Sequence, residues 1–581
     1  MTYEPRGTQN DVITSSAPVI MVRGGAGTGK TTTAVAAARA HLETTDRQLQ
    51  ETRHAAAIAD QRTRLAAPQR VLFLSFSRTA VTQIIDRAGS IIGPYGPRLE
   101  VATFDGFAWR IVTSFGRNHG YPPPLSVLSA ANARVPGAPP GLTYDELLPA
   151  AMKLLAIPRI AEHYNGRYGM IICDEFQDTD AEEWAFLRTI APSARLILLG
   201  DLHQCIYDGF KHVDPNARIS DALALPGAIE IDLPPASFRD PTGVLPAAAE
   251  AARERRFDDP AIAYAAEDGR LSITRTTSAK GYAEVIDLAR DARLQGHTVS
   301  IFTHTNAATT ELSDAMRQSG LNHEQVGLTE AYGEALPAQL ALIQYALGDD
   351  VAPIRRTLAV YITANYRGKY LPPLAKQLLS GANPQLEHAL AGLCQDLRAA
   401  AGSAPDLADL SGVIAGAYRR VGTFRGQETW TQAAERTRNA LLGADFDHGM
   451  AGIEAQLLRL RDESLVGGLS PRQHSIQVMN LHQTKGREAD TTILLLRPDE
   501  WYGYEQDPYP NGSRLLYVVM TRARQRVHLV VPSAAHPLWQ PLIDACDSSR
   551  TSTRLPPQRT GVAERELTFP PTIDGRGAQP A

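Results

Sequence analysis

The stretch VIMVRGGAGTGKTT, Val19 to Thr32, decides how this chain must fold. Four apolar residues of strand length lead into G-x-x-x-x-G-K-T at Gly24 to Thr31, and TTTAVAAARAHL continues from it with helical spacing. Glycines at those positions let backbone N–H groups wrap around phosphate oxygens, and the helix N-terminus adds partial positive charge. Gly25, Ala26, Gly27, Thr28, Gly29, Lys30, Thr31 and Thr32 are therefore expected to cradle a nucleotide. Lys30 would neutralise the β- and γ-phosphates, and the Thr31 hydroxyl would ligate Mg²⁺.

A second stretch, GMIICDEFQDTD from Gly169 to Asp180, runs from an apolar strand pattern into Asp174, Glu175, Asp178 and Asp180. Carboxylates this close repel by roughly 1 kcal/mol per pair in water and by more in a shielded cleft. Such a cluster calls for positive charge, which the metal and Lys30 would supply. Asp174, at a strand end, is expected to hold the same Mg²⁺ as Thr31, and Glu175 to orient and deprotonate the attacking water. The two stretches together predict a nucleotide hydrolase.

The rest of the composition narrows the class. With 581 residues, 43% of them hydrophobic and 21% charged, the chain is expected to form several globular domains. No apolar run reaches the ~18 residues of a membrane span. MTYEPRGTQNDV lacks the basic-then-apolar pattern of a secretion signal. Cys173, Cys205, Cys394 and Cys546 are far apart and form no C-x-x-C pair, which argues against zinc or iron–sulfur sites and suits a reducing cytoplasm. A net charge of −5 means that any nucleic-acid contact must come from a local groove.

Strand-length apolar runs recur near 17–24, 70–76, 168–173 and 194–200, and again near 298–305, 491–498 and 526–532, with helical patterns between them. Strands buried on both faces and alternating with helices imply parallel sheets. The fold class expected is α/β: two parallel-sheet domains, each interrupted by a mainly helical inserted subdomain. The first would take residues 1–109 and 166–235, with an insertion at 110–165 rich in proline and glycine. The second would take 236–349 and 471–546, with a helical insertion at 350–470, leaving a proline-rich tail at 547–581 that is not expected to fold. The polar stretch HLETTDRQLQETRHAAAIADQRTR from His41 reads as an extended solvated helix.

Further motifs, in order, carry a resemblance to the UvrD/PcrA/Rep-like superfamily 1A DNA helicases across residues 1–535. CDEFQDTD resembles that family's DE…QD segment, GDLHQCIY at 200–207 its GDxxQSIY motif, NLHQTKGREA at 480–489 its TLHxxKGLEF motif, and RLLYVVMTRAR at 514–524 its RLxYVxxTRA motif. SFSRTAVTQIIDR at 75–87 and ATFDGFA at 102–108 match weaker segments. The resemblance implies that the two parallel-sheet domains are RecA-like and that ATP is the nucleotide, and it assigns roles. Gln9, which stands 21 residues before Lys30 (30 − 9), would read the adenine edge, and Gln204 would sense the γ-phosphate. ASFRDP would give Phe238 as the ring stacked on adenine and Arg239 as a γ-phosphate contact. Arg522 would be a second arginine finger arriving from the other α/β unit, and Glu488 would contact the ribose. Phe76, Thr103, Phe104, Tyr207, Phe210 and His482 would grip single-stranded DNA. ATP-driven 3′→5′ movement along that strand is the implied activity.

Departures from the family pattern gather on the strand-gripping motifs. Arg78 and Thr79 stand where asparagine and lysine are usual, and Asp105 replaces a histidine. IYDGF carries one residue more before its aromatic than the family's segment, and Asn511, Gly512 and Ser513 replace the usual acids. Both insertions are shorter than usual, and no acid–acid–lysine nuclease signature is seen. The rival reading is a nucleic-acid-stimulated ATPase switch that regulates a partner nuclease, or another repair or defence protein. ATPase activity without unwinding would mark it.

Overall fold

The computed structural model describes residues 4–58, 67–76, 78–205, 214–278, 280–326, 329–348, 350–366, 370–402, 407–422, 425–443, 449–467, 474–484, 486–496, 514–532 and 540–552. Two six-stranded parallel sheets, with a helical body inserted into the second along the chain, make up the architecture. The first half of the chain contributes β1 (Val19–Arg23), β2 (Arg70–Ser75) and β3 (Leu99–Thr103). A short parallel pair follows, β4 (Ser126–Leu128) and β5 (Gly141–Thr143), and then β6 (Tyr168–Cys173), β7 (Arg195–Gly200) and β8 (Ala228–Asp232). The first sheet runs β3-β2-β6-β7-β1-β8. In β1, Ile20 and Val22 enter the core on one face while Val19 and Met21 enter the core on the other. This period of two with both faces covered explains the unbroken apolar runs.

The second sheet is built from β9 (Leu271–Thr276), β10 (Val299–Thr303), β11 (Glu324–Gln325), β12 (Ile476–Asn480), β13 (Ala489–Leu495) and β14 (Ala523–Pro532). Its order is β11-β12-β10-β13-β14-β9. The same alternation holds: Phe302, Leu494 and Leu529 face one core, and Ile301, Ile493 and Val530 the other. Among the described residues, no helix is long and apolar enough to cross a membrane.

Between β11 and β12 the chain forms the helical body, among the described residues seven helices from Thr329–Ala346 to Gly449–Asp462 around one apolar core. Tyr361, Tyr418 and Trp430 meet at its centre, and the Trp430 indole N–H donates to the Ile414 carbonyl at 2.9 Å. The body starts at Thr329 and not near 350, because the apolar face of Thr329–Ala346 packs into this core and not onto the second sheet.

Residues 110–165 are divided differently from a separate inserted unit. Helices Phe104–Phe115 and Tyr144–Leu155 share one core with β2, β6 and β7 through Phe107, Ile111, Leu147 and Leu154. Ala131 and Val135, by contrast, pack into the helical body. That body is tied to the first unit through Arg461, which also forms a buried ion pair within the body. Arg461, 3% exposed, donates to Glu334, 1% exposed, at 2.8 Å, and to the Val127 carbonyl of β4 at 2.9 Å. The helix Lys30–Ile58 continues well past the sheet with an exposed polar surface, as its composition predicts. The C-terminal helix Gln540–Ser552 extends past residue 547, where the unfolded tail was expected to begin; 553–581 lie outside the described residues.

Candidate active site

Strands of a parallel sheet all end on one edge, and that edge carries the phosphate loop. Gly24 to Gly29 link the end of β1 to the helix that starts at Lys30, and Gly24 N–H donates to the Gly200 carbonyl at the end of β7. Gly27 (φ 79°) and Gly29 (φ 86°) are left-handed, and a Cβ on Gly27 would stand 2.3 Å from the Ser237 hydroxyl. Glycine is required there by both conformation and space. The Lys30 ammonium donates to the Gly24 and Gly25 carbonyls at 2.5 and 3.0 Å and lies 4.0 Å from the Asp201 carboxylate.

The acidic cluster meets this loop. Thr31 Oγ1 donates to Asp174 Oδ2 at 3.3 Å, and the Glu175 amide donates to Asp174 Oδ1 at 3.0 Å. Burial, together with the neighbouring Glu175 charge, pushes the Asp174 carboxyl up to about 6, against the opposing pull of Lys30. Glu175 itself sits in the left-handed region at φ 51°, ψ 40°, a conformation that costs a non-glycine residue energy and that clusters at functional sites.

Groups from far along the chain line the same cleft, whose volume is ≈ 380 Å³. Phe238 and Arg239 arrive on the connection between the sheets, where the Phe238 amide donates to the Gly27 carbonyl at 2.8 Å. Glu488 and Arg522 stand immediately before β13 and β14, so the second sheet presents the starting ends of its strands to the finishing ends of the first. Arg522 is buried and donates to the Gln204 side-chain oxygen, while Gln204 donates to Asp201 at 2.7 Å. Burial and the adjacent Arg239 pull the Arg522 guanidinium down to about 10, opposed by Glu175, Glu488 and Asp201. Arg239 donates to Glu488 at 2.7 Å and to the Thr521 carbonyl.

Two residues frame the mouth. Gln9 is buried with its amide donating to the Thr28 carbonyl at 3.1 Å and accepting from Arg6 N–H at 3.0 Å. Phe238, 51% exposed, presents its ring near Gly29. A flat base could lie on that ring with its edge toward Gln9.

A family model described as an AAA domain matches residues 9–210, the span from Gln9 through the acidic cluster to the Gln204 loop. ATP-dependent DNA helicase UvrD1 of Mycobacterium tuberculosis (strain ATCC 25618 / H37Rv) is 24% identical over 497 residues, covering 72% of this chain and 61% of the relative. ATP-dependent DNA helicase PcrA of Bacillus subtilis (strain 168) is 24% identical over 200 residues, covering 33% of this chain and 27% of the relative. The chain is thus similar to UvrD/PcrA-like superfamily 1 helicases. It spans 61% of the length of the UvrD1 relative, so the match covers only part of that protein.

The family's strand-gripping positions are placed less simply than its nucleotide-facing ones. Phe76 is half-buried and stacks against Phe104 with ring centroids 5.0 Å apart. Phe104, 3% exposed, is part of the first unit's core. Thr103 caps the helix Phe104–Phe115 by accepting from the Gly106 amide, and it donates to the Val466 carbonyl at 2.7 Å. In this conformation both are covered, Thr103 by its bond to Val466 in the short π-helix Glu463–Gly467 and Phe104 by the core around it. Tyr207 and Phe210, the side chain of His482, and residues 511–513 lie outside the described residues.

Sequence reading missed three contributors. Tyr517, in the RLLYVVM helix, accepts from the Ala26 amide at 3.4 Å, so the second unit touches the phosphate loop directly. Arg524 lines the cleft and pairs with Glu488 at 3.2 Å. Gln177, fully buried, donates to Glu175 at 2.7 Å. Its place inside the DE…QD segment was the available signal.

Proposed function

We propose that this protein is an ATP hydrolase that moves along single-stranded DNA, in the 3′→5′ direction, and unwinds tailed duplex. One observation carries the reading. Arg239 and Arg522 line the same cleft as Lys30, although 209 (239 − 30) and 492 (522 − 30) residues separate them from it in sequence. A nucleotide held there contacts both α/β units, so its cleavage changes the contacts between them.

In this reading the backbone N–H groups of Gly25 to Thr32 hold the phosphates, Gln9 and Phe238 hold the adenine, and Glu488 lies toward the ribose. Glu175 accepts a proton from the attacking water as its oxygen bonds to the γ-phosphorus and the bond to ADP breaks. Lys30, Arg239 and Arg522 stabilise the charge that develops on the transferring group, and Gln204 links Arg522 to the first unit. The Thr31 hydroxyl and the Asp174 carboxylate form an oxygen-only donor pair in a site short of positive charge, which fits Mg²⁺. Bound there, the ion would neutralise phosphate charge.

The test is ATP turnover with and without single-stranded DNA or RNA, alongside unwinding of 3′- and 5′-tailed duplexes. DNA-stimulated turnover with 3′-tail preference supports the proposal. Turnover indifferent to every nucleic acid overturns it. Stimulation without unwinding favours a switch acting on a partner, a reading to which the covered Thr103 and Phe104 lend weight.

A further inference from the structure

We infer that Gln177 is the positioning residue that ties the water-activating carboxylate to the arginine finger of the opposite unit, so that the base is set for reaction only when the two units are engaged. This deepens the hydrolase reading above and rests on it.

The geometry is continuous. Gln177 Nε2 donates to Glu175 Oε2 at 2.7 Å and lies 3.3 Å from Asp178 Oδ2. Its oxygen accepts from the Asp201 amide at 3.0 Å. The Asp201 carboxylate accepts from Gln204 Nε2 at 2.7 Å, and Gln204 Oε1 accepts from Arg522. The run Glu175–Gln177–Asp201–Gln204–Arg522 thus crosses from the end of β6, past the end of β7, to the start of β14. Gln177, Asp201, Gln204 and Arg522 are all buried, and Gln177 is 0% exposed.

A primary amide suits this position because it offers a donor and an acceptor a fixed distance apart. The donor face fixes a carboxylate whose backbone is already held left-handed, and the acceptor face fixes the loop that carries Gln204. Chains of buried hydrogen bonds respond as a unit, because water cannot replace a lost partner. Displacement of Arg522 would release Gln204 and Asp201 and so loosen Gln177 on Glu175. In this way the base is disarmed when the units separate.

The experiment is a double-mutant cycle on ATP turnover in the full chain, with Gln177→Met, Arg522→Ala, the double variant, and Glu175→Gln as control. Gln177→Met is expected to lower kcat at least thirtyfold while leaving KM for ATP within threefold. The double variant should be scarcely slower than Arg522→Ala alone, because the two act through one network. Multiplied losses, or unchanged kcat in Gln177→Met, would overturn the inference. If Gln177→Met fails to give a cooperative melt, Gln177→Glu replaces it. That variant keeps the acceptor for the Asp201 amide and the side-chain size, and the same pattern is required of it. Glu175→Gln separates the two levels. If it turns over normally, the assignment of the base has failed. If it is inactive while the Gln177 variants are normal, only the positioning role has failed.

Discussion

At the scale of single residues, the proposed site divides into groups that would bind and groups that would act only as the phosphoryl group moves. Lys30→Ala removes the loop's only side-chain cation, and both nucleotide affinity and turnover should be lost, as measured by a fluorescent-nucleotide titration and a phosphate-release assay. Arg522→Ala should lower kcat by about 10³-fold with KM little changed, the pattern of a finger that contributes in the transition state. Equal loss in both would assign it to ground-state binding. Phe238→Ala should do the reverse and raise KM about tenfold, since stacking a base on an aromatic ring is worth ~1–3 kcal/mol. That Lys30, Thr31, Asp174 and Glu175 would share one cleft was legible in the sequence, because a glycine-rich loop after a strand and an acidic strand end each stand within a few consecutive residues. Gln177 and Tyr517 were not, because each matters through a partner that only the folded chain brings near: the Asp201 amide for one, the Ala26 amide for the other.

At the scale of elements, burial on both faces made the strands readable. A doubly covered strand such as IIC at the end of β6 has no polar alternation to disguise it. The helices Phe104–Phe115 and Tyr144–Leu155 were harder to place. An amphipathic helix announces that it has an apolar face but not which surface that face meets, and here it meets the first sheet. The clamp between the helical body and β4 was invisible for the same reason, since Arg461 reads as one more surface charge in LLRLRDE. Buried as it is against Glu334 and the Val127 carbonyl, Arg461→Ala should destabilise the fold by about 3–5 kcal/mol, because it strands an unpaired carboxylate. Urea denaturation measures this. A loss under 1 kcal/mol would show that the pair is solvated. Arg461→Met combined with Glu334→Leu should recover most of the deficit.

At the scale of the whole molecule, the two sheets face each other across a polar cleft, and the helical body is anchored to the first unit although the chain inserts it into the second. The proposed motion of the sheets would be absorbed near the ends of that body, where Val466 of the π-helix Glu463–Gly467 accepts from Thr103. The central claim is that filling the cleft moves the two α/β units relative to each other. All four native cysteines are buried, so Asn118→Cys on the first unit and Leu294→Cys on the second, both at exposed positions, can carry a donor and an acceptor dye. The decisive measurement is energy transfer between them as a non-hydrolysable ATP analogue is added. The account predicts a saturable change in transfer that is absent in a Lys30→Ala background. Unchanged transfer at saturating analogue, in protein that still turns over ATP, would contradict it.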